Sequence, residues 1–248
     1  MIKLFRRIRQ RLLTENKVSK YLLYAIGEIV LVIIGILIAL QINNNNTLRK
    51  ETQELHGYLI SIQNNIASDK EQIEAITSFR DSVKVQSQKV LAISRQDEIT
   101  AKDFRELVTD FNIFYDNYLE INPSGFEALK SSGFLGKIQG TKIEKLINDY
   151  YILVNSLTRQ EKSFNDFIEN MEVLTFEDKV WSEFISIYRK PDVAQYLKSN
   201  QEEIKALFNH PGILGANLRG SLYRVTEYEK LLSLGEQLTL EIQLTVNN

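Results

Sequence analysis

An apolar run of 22 residues near the N-terminus, residues 21–42, restricts the possible folds of this chain more than any other feature. It reads YLLYAIGEIVLVIIGILIALQI and contains one charged side chain, Glu28, and one uncharged amide, Gln41. A helix rises ~1.5 Å per residue, so this run is roughly 33 Å long and can cross the ~30 Å hydrocarbon layer of a bilayer. The sequence therefore predicts one transmembrane helix over residues 21–42.

The segment before this run is strongly basic. Residues 1–20 contain seven Lys and Arg residues against one acid, Glu15. Basic residues that flank a span stay on the cytoplasmic side, where they meet anionic lipid head groups, so the basic tail indicates a membrane surface and not nucleic acid. We predict a cytoplasmic tail over 1–20 and a domain over 43–248 on the opposite side of the membrane. The predicted inner-interface residues are Arg6, Arg7, Arg9, Arg11, Lys17, Lys20, Tyr21 and Tyr24.

The main competing interpretation of this end is a cleaved secretory signal. A signal peptide has an apolar core of about 7–15 residues and a small-residue cleavage site. Here the core is longer and ends in Ala39-Leu40-Gln41, which favours an uncleaved signal anchor. The chain has no cysteine, which excludes a disulfide framework and a thiolate metal site but fits an exported domain and a cytosolic protein equally.

Three stretches near the N-terminus carry a family resemblance: LLTENK at residues 12–17, KYLLYAIGEI at 20–29 and IGILIALQINN at 34–44. They resemble the N-terminal signature of a domain-of-unknown-function family of small single-pass membrane proteins from Bacteroidota such as flavobacteria. The resemblance is close over residues 1–46 and looser beyond, and it implies no assigned activity. Asn45 stands where that family commonly has Trp, so the outer aromatic anchor is missing.

Glu28 is the residue in the span that needs a physical reason. A carboxylate in hydrocarbon costs at least a few kcal/mol, so such groups face partner helices or water, or carry a proton. At 100° per residue, Gly35 and Ala39 lie within about 20° of Glu28 on the helix surface. Gly35 and Ala39 also form a small-xxx-small pair, which lets helices approach closely. The face of Glu28, Gly35 and Ala39 therefore predicts either helix association or a proton-carrying group; a glutamate that snorkels inward is the alternative.

The chain after the span is typical of long helices. Residues 46–94 contain no proline, and their apolar residues recur mostly at three-, four- or seven-residue spacing, which indicates a coiled-coil-like helix. Asp69, Arg80 and Ser87 are expected to interrupt this seam. The helix can be continuous with the span, in which case it covers about 75 residues, although the asparagines at 43–46 argue against full continuity.

Further helices are predicted from a Thr100–Asp103 cap, from Thr141 to Leu174, over 180–188, from Asp192 to Phe208, and after His210. The fold class is therefore all-α, with one transmembrane helix followed by an antiparallel helical bundle. An aromatic stripe from Phe104 to Tyr118 is expected to belong to its core and not to a ligand cage.

Catalytic motifs are absent from the sequence. His56 and His210 lack HExxH or triad-like surroundings and are expected at the surface or at helix ends, and SSGFLGKIQG does not match the phosphate-binding GxxxxGK[ST] spacing. We therefore predict no enzymatic activity, no cofactor and no metal. The expected partners are the lipid bilayer and further membrane proteins or copies of this chain. The expected function is oligomerisation or scaffolding of an envelope complex. Ion-coupled transduction through Glu28 with a multi-span partner is the alternative, and a ligand-sensing domain is the weaker one.

Overall fold

The computed structural model describes residues 18–109, 113–115, 117–223 and 225–247. Its regular elements are all helices, and no strand occurs in these ranges, so the all-α prediction is confirmed. The helices are α1 (Val18–Ser94), α2 (Ala101–Thr109), α3 (Ser124–Ser131), a 3-10 helix (Phe134–Ile138), α4 (Lys142–Glu177), α5 (Val180–Tyr188), α6 (Val193–Ser199), α7 (Gln201–Phe208), α8 (Pro211–Ser221) and α9 (Thr226–Val246).

Helix boundaries follow the capping chemistry that the sequence contains. Thr141 is the N-cap of α4, and its hydroxyl accepts a hydrogen bond from the Glu144 amide at 3.3 Å. Thr100 and Asp103 form the predicted reciprocal cap: the backbone amide of each residue donates to the side chain of the other, both at 3.2 Å. Two predicted helices are wrong in extent. The helix over 192–208 divides at Asn200 into α6 and α7. The single helix expected after His210 ends at Ser221, and a second one, α9, begins at Thr226.

The break at Asn200 has a tertiary cause. The Gln201 side chain accepts from the amide of Ile99 at 2.8 Å and donates to the carbonyl of Ile99 at 3.0 Å and of Leu197 at 2.9 Å. The two bonds to Ile99 satisfy a backbone segment that precedes α2 and lies 102 residues away in the chain, whereas the bond to Leu197 is local. Local spacing could not predict the bonds to Ile99.

Helix α1 continues through the four asparagines at 43–46 without a break. Side chains in this part bond along the helix, from Gln41 Nε2 to Asn45 Oδ1 at 3.4 Å and from Thr47 Oγ1 to the Asn43 carbonyl at 3.1 Å. The expectation that these asparagines disfavour continuity was therefore wrong for the secondary structure. By its contacts the chain divides into two compact units, Met1–Gly57 and Tyr58–Asn248.

The described part of the first unit is a helix with its apolar side chains uncovered. Its large hydrophobic residues from Leu22 to Ile42 are between 47% and 78% exposed. The most apolar stretch of 18 residues in α1 has a mean hydropathy of 2.7, and none of it is buried. Among the described helices, α1 is the one long and apolar enough to cross a membrane; a signal sequence can meet the same criterion of length and composition.

In the second unit, α1 contributes an unbroken buried seam at alternating three- and four-residue spacing. The seam consists of Leu59, Ile62, Ile66, Asp69, Ile73, Ile76, Arg80, Val83, Ser87, Val90 and Ser94. Asp69, Arg80 and Ser87 were expected to interrupt it. That expectation was wrong, because all three are buried members of the same seam.

Helices α1 and α4 run in the same direction. Asp69 pairs with Tyr150 and Arg80 with Glu161, and each pair is separated by 81 residues in the chain. Residues of α4 at the same offset from the α1 seam are also buried, namely Ile143, Ile147, Val154, Leu157, Phe164 and Ile168. The predicted antiparallel arrangement therefore does not hold for α1 and α4. Residues 95–141, which include α2 and α3, form a connection long enough to return the chain to the other end of α1.

Helices α8 and α9 run opposite to α4. Arg219 near the end of α8 lies over Phe164, whereas Gly212 at its start meets Thr175. Lys142 pairs with Glu241, and Glu161 accepts from Tyr228, which gives α9 the opposite direction as well. The core thus forms between two parallel helices and a returning pair.

The aromatic stripe predicted from Phe104 to Tyr118 extends beyond α2, which ends at Thr109, and it divides into two parts. Phe104 is buried against Phe184 and Phe208, with ring centroids 5.9 and 6.2 Å away. Leu107 is buried too, so this half lies in the core as predicted. Tyr115 and Tyr118, in contrast, are 63% and 46% exposed.

Gly125 is the point of closest approach between α3 and α1. A Cβ atom at this position would lie 2.7 Å from the Ile62 nitrogen and 2.9 Å from the Ser61 carbonyl carbon, both backbone atoms. The Gly125 amide donates to Asn65 Oδ1 at 2.9 Å. Since a backbone cannot yield as a flexible side chain can, this contact requires glycine.

Gly125→Ala is therefore expected to lower the free energy of unfolding by about 1–3 kcal/mol through overpacking. Gly57→Ala is the matched control, because Gly57 lies inside a helix with open space around a Cβ. It should raise stability by about 0.5–1 kcal/mol. Chemical denaturation followed by circular dichroism measures both, and equal effects of the two substitutions would contradict the close approach.

Candidate functional site

The predicted intramembrane face lies on α1. Glu28, Gly35 and Ala39 are all exposed, and an added Cβ at Gly35 would meet no atom within 4 Å. Helical periodicity places Gly35 and Ala39 each within about 20° of Glu28. Among the described residues, nothing covers this face, and its use for association or proton transfer stays a prediction.

The predicted membrane-interface residues fall largely outside the described part of the chain. Arg6, Arg7, Arg9, Arg11 and Lys17 precede the first described residue, Val18. Lys20 and Tyr21 belong to α1, but their side chains are outside the described residues. Tyr24 is half-buried. The interface role of this set therefore remains a prediction.

The second unit contains a buried ionic cluster that we call the polar centre: Arg80, Glu161, Asn165, Tyr223 and Tyr228. The Arg80 Nη2 donates to Glu161 Oε2 at 3.1 Å, to Asn165 Oδ1 at 2.6 Å and to the carbonyl of Asn117 at 3.3 Å. The side chains of Arg80 and Glu161 are 2% and 5% exposed. The polar centre therefore joins α1 to α4 by a charge pair shielded from water.

Two phenols complete the coordination of the Glu161 carboxylate. Tyr228 donates its hydroxyl to Oε1 in a close contact, and Tyr223 donates to the same oxygen at 3.4 Å. Burial raises the pKa of both phenols above the usual value, and the hydrogen bond to Glu161 raises the pKa of Tyr228 further. Both therefore remain neutral donors at physiological pH.

The Arg80 guanidinium is also enclosed by aromatic rings. Its central carbon lies 4.1 Å from the centroid of the Phe164 ring and 5.2 Å from that of Tyr223. A desolvated cation over an aromatic face gains up to about 2 kcal/mol. Its Nε is buried and has no hydrogen-bond partner among the described residues, so the rings replace part of the lost water.

A cleft of about 310 Å³ opens onto the polar centre from the surface between α4, α8 and α9. Phe164, Arg219 and Leu222 line it together with Glu161 and both phenols. Because Arg80 and the two phenols already donate to the Glu161 carboxylate, this carboxylate is not a free general base. The chemistry of the polar centre is that of a structural ion pair.

Asp69, which precedes Arg80 on α1, forms a second buried polar contact. Its carboxylate accepts from the Tyr150 hydroxyl at 3.0 Å and from the Asn122 amide at 3.2 Å. Burial raises the pKa of Asp69 above 3.8, and the two hydrogen bonds offset part of this shift. Asp69 therefore ties the loop before α3 to α4.

The two histidines lie in different surroundings. His210 is the N-cap of α8: its Nδ1 accepts from the Gly212 amide at 3.2 Å, so Nε2 carries the proton that it donates to Asp178 at 2.9 Å. The expected helix-end position is confirmed for His210, whereas His56 is half-buried within α1. Within the described ranges no three His, Cys, Asp or Glu side chains cluster as metal ligands would.

Sequence reasoning missed the polar centre, although a signal was present. Asp69, Arg80 and Ser87 occupy the same three-four repeat as their apolar neighbours, so a strict reading of the period would have placed them inside. Glu161, in contrast, stands among many acidic residues of α4 and had no distinguishing signal. Its role depends on how α1 and α4 are aligned along each other in the folded structure.

Comparison with known families gives a match over part of the chain, less than half of its length. Residues 28–125 match a family described as "Family of unknown function (DUF6090)". This match agrees with the resemblance to an uncharacterised family and extends well past residue 46, to the start of α3. It includes Glu28, Asp69 and Arg80 but not Glu161. Neither the curated proteins nor the solved structures contain a significant match.

Removal of Arg80 tests the ion pair. Arg80→Met should lower the free energy of unfolding by about 3–5 kcal/mol, because it leaves the Glu161 carboxylate buried without its cation. The double variant Arg80→Met/Glu161→Gln should be more stable than the single variant, since the unpaired charge is gone. Lys89→Met is the control, because the Lys89–Glu106 pair is about 40% exposed and should contribute at most about 1 kcal/mol. A double variant less stable than Arg80→Met would contradict this account.

The raised pKa of Asp69 predicts a pH dependence. In the pH interval between its unfolded and folded pKa values, the native state binds more protons than the unfolded state, so stability falls as pH rises through this interval. Asp69→Asn should remove this component, and Tyr150→Phe should enlarge it by taking away a donor to the charged form. Denaturation midpoints between about pH 3 and 7 measure the effect. If the denaturation midpoint changes with pH equally in the wild type and in Asp69→Asn, Asp69 is not the source of the pH dependence.

Proposed function

We propose that this protein is a membrane-anchored interaction protein of the bacterial inner membrane that oligomerises or scaffolds an envelope complex. In this proposal residues 1–20 are cytoplasmic, residues 21–42 span the bilayer and residues 43–248 form a periplasmic helical domain. The observation that carries the proposal is the contrast within α1: none of its most apolar stretch is buried, whereas its seam from Leu59 onward is covered.

The contrast supports a lipid environment for physical reasons. Large apolar side chains left in water cost roughly 1.5–3 kcal/mol each relative to burial, and the exposed set between Leu22 and Ile42 is far larger than the patches that soluble monomers tolerate. A bilayer removes this cost without any protein contact. The basic residues before the span support the inward position of the N-terminus.

Association through the span is supported by the uncovered face of Glu28, Gly35 and Ala39. Small residues allow two backbones to approach closely, and a carboxylate that faces a partner helix can share a hydrogen bond in place of water. In the same proposal, the parallel pair α1 and α4 with the returning helices α8 and α9 forms a rigid bundle that presents a constant surface to other envelope proteins.

Two glycines in the span provide a matched test of this face. Gly35 belongs to the face, whereas Gly27 lies 100° from Glu28, and both have open space around a Cβ. Gly35→Leu should reduce cross-linked oligomers in membranes at least several-fold, and Gly27→Leu should leave them unchanged. If both variants cross-link like the wild type, this face does not mediate association.

Ion-coupled transduction is the second candidate, and the position of Glu28 favours it. Glu28 is the only charged residue in the run 21–42, and intramembrane carboxylates often belong to ion pathways. Glu28→Gln removes the charge at nearly constant volume. Co-purification with a multi-span protein together with loss of a cellular phenotype in Glu28→Gln would favour transduction; homo-oligomers that purify alone, with Glu28→Gln silent, would favour scaffolding.

A further inference from the structure

A groove of about 490 Å³ lies between α1 and α9 in the second unit, and it shares no lining residue with the cleft at the polar centre. We call it the α1–α9 groove. Lining residues of α1 extend from Gln63 to Ile73, those of α9 extend from Leu231 to Gln243, and Tyr150 of α4 completes the wall. Its volume falls within the range of about 300–1,000 Å³ that is typical of small-molecule sites. Since α1 advances about 1.5 Å per residue, the groove is about 15 Å long.

The floor of the α1–α9 groove belongs to the packed core. Ile73, Tyr150 and Leu231 are each at most 1% exposed. At Gly235 the helix α9 comes close to α1, because an added Cβ would lie 2.9 Å from Ile66 Cγ2. The floor is therefore fixed by the fold, and it needs no ordering when a ligand enters.

The charges of the groove satisfy one another. Lys70 of α1 and Glu236 of α9 are the two charged residues of its lining, and their Nζ and Oε1 atoms lie 3.4 Å apart. Lys70 is also 3.9 Å from Glu74. A charged ligand would lose hydration on entry without finding an unpaired counter-ion. The groove therefore selects a neutral molecule.

The uncharged polar side chains of the lining lie at one end of the groove. These side chains are Gln63, Asn64, Thr239 and Gln243. Lys70 pairs with Glu236 and Ile66 meets Gly235, so on the antiparallel α9 the later residues lie beside the earlier residues of α1. None of the four side chains is hydrogen-bonded to another described residue. This end therefore offers amide and hydroxyl groups that can both donate and accept.

The opposite end of the groove is apolar. Ile73 of α1 faces Leu231 and Leu232 of α9 there. On the rim, Leu240 is 60% exposed and presents further apolar surface. An apolar end, an uncharged hydrogen-bonding end and a length of about 15 Å match a linear amphiphile without charge.

We propose that the α1–α9 groove binds a neutral single-chain amphiphile, namely an acyl or alkyl chain with a hydroxyl-bearing head group. The chain lies along the floor toward Ile73 and Leu231. The head group exchanges hydrogen bonds with Gln63 and Gln243. This site is independent of the span and of the proposed oligomerisation.

A fluorescent label tests the proposal without interference, because the chain has no native cysteine. Leu240→Cys is labelled with bimane in the full-length protein, which is reconstituted in lipid nanodiscs and titrated with 1-octanoylglycerol at pH 8. The emission should change saturably, with a dissociation constant on the order of 0.1–1 mM for a ligand of this size. The reference is Val85→Cys carrying the same label, since Val85 is exposed on α1 outside the groove. It should show no saturable change.

Two further compounds separate the chain from the head group. Octanoate has the same chain with a charged head, and it should bind at least tenfold more weakly because Lys70 is already paired. Glycerol has the hydroxyl groups without the chain, and it should give no change at the same concentrations.

Variants of the labelled protein then assign the contacts. Ala67→Phe fills the groove from an exposed position and should reduce binding at least tenfold, whereas Ser68→Phe, at the neighbouring exposed position outside the lining, should not. Gln243→Leu should weaken binding several-fold, and Gln237→Leu, an exposed residue of α9 outside the lining, should leave it unchanged. Circular dichroism verifies that every variant is folded.

Three outcomes would overturn the proposal. Octanoate that binds as tightly as 1-octanoylglycerol would contradict the neutral head group. Unchanged binding in folded Ala67→Phe, or the same response from the label at position 85, would show that the chain does not occupy the groove. The absence of a saturable change up to several millimolar 1-octanoylglycerol would exclude the site.

Discussion

Arg80 brings a guanidinium into the interior of the second unit, and the surrounding architecture replaces the water that it loses. Glu161 and Asn165 come from α4, the Asn117 carbonyl from the segment before α3, and Tyr223 from the turn between α8 and α9. A buried charge without such partners would cost several kcal/mol. Segments that are distant in sequence must therefore converge on one point for this side chain to be tolerated.

This requirement also determines the register of α1 against α4. Asp69 with Tyr150 and Arg80 with Glu161 have the same sequence offset, so a shift of one helical turn, about 5.4 Å, would separate both pairs at once. Apolar seam residues alone would tolerate such a slip, because Ile, Leu and Val replace one another at low cost. We infer that the polar residues of the seam contribute specificity of packing more than net stability.

The part of α1 that precedes Tyr58 has a different distribution of apolar residues. The seam of α1 in the second unit is narrow and polar residues surround it, whereas residues 22–42 are apolar on all sides apart from Glu28 and Gln41. A single helix thus combines a uniformly apolar segment with an amphipathic one. In the proposed function, residues 21–42 provide the membrane anchor, and the part of α1 from Tyr58 onward belongs to a domain with a single packing arrangement.

Much of this architecture could be predicted from the sequence, and the limits have physical causes. Helical periodicity, the caps at Thr100 and Thr141 and the apolar run are local, so they predicted the helix class, several boundaries and the candidate span. The parallel direction of α1 and α4, the division at Asn200 and the roles of Glu161 and Tyr228 depend on partners that are far away in the chain. The exposed Tyr118 was assigned to the core because periodicity predicts which residues share a face but not which element covers that face.

The direction and register of α1 and α4 can be measured directly, because the chain has no native cysteine. Spin labels on Val85 of α1 and on either Lys162 or Lys142 of α4 occupy exposed positions, and double electron–electron resonance gives the two distances. With a parallel register at this offset, Val85 lies near the level of Lys162 and about 36 Å along the axis from the level of Lys142. The account therefore predicts a much longer distance to Lys142 than to Lys162. A distance to Lys142 equal to or shorter than that to Lys162 would contradict it.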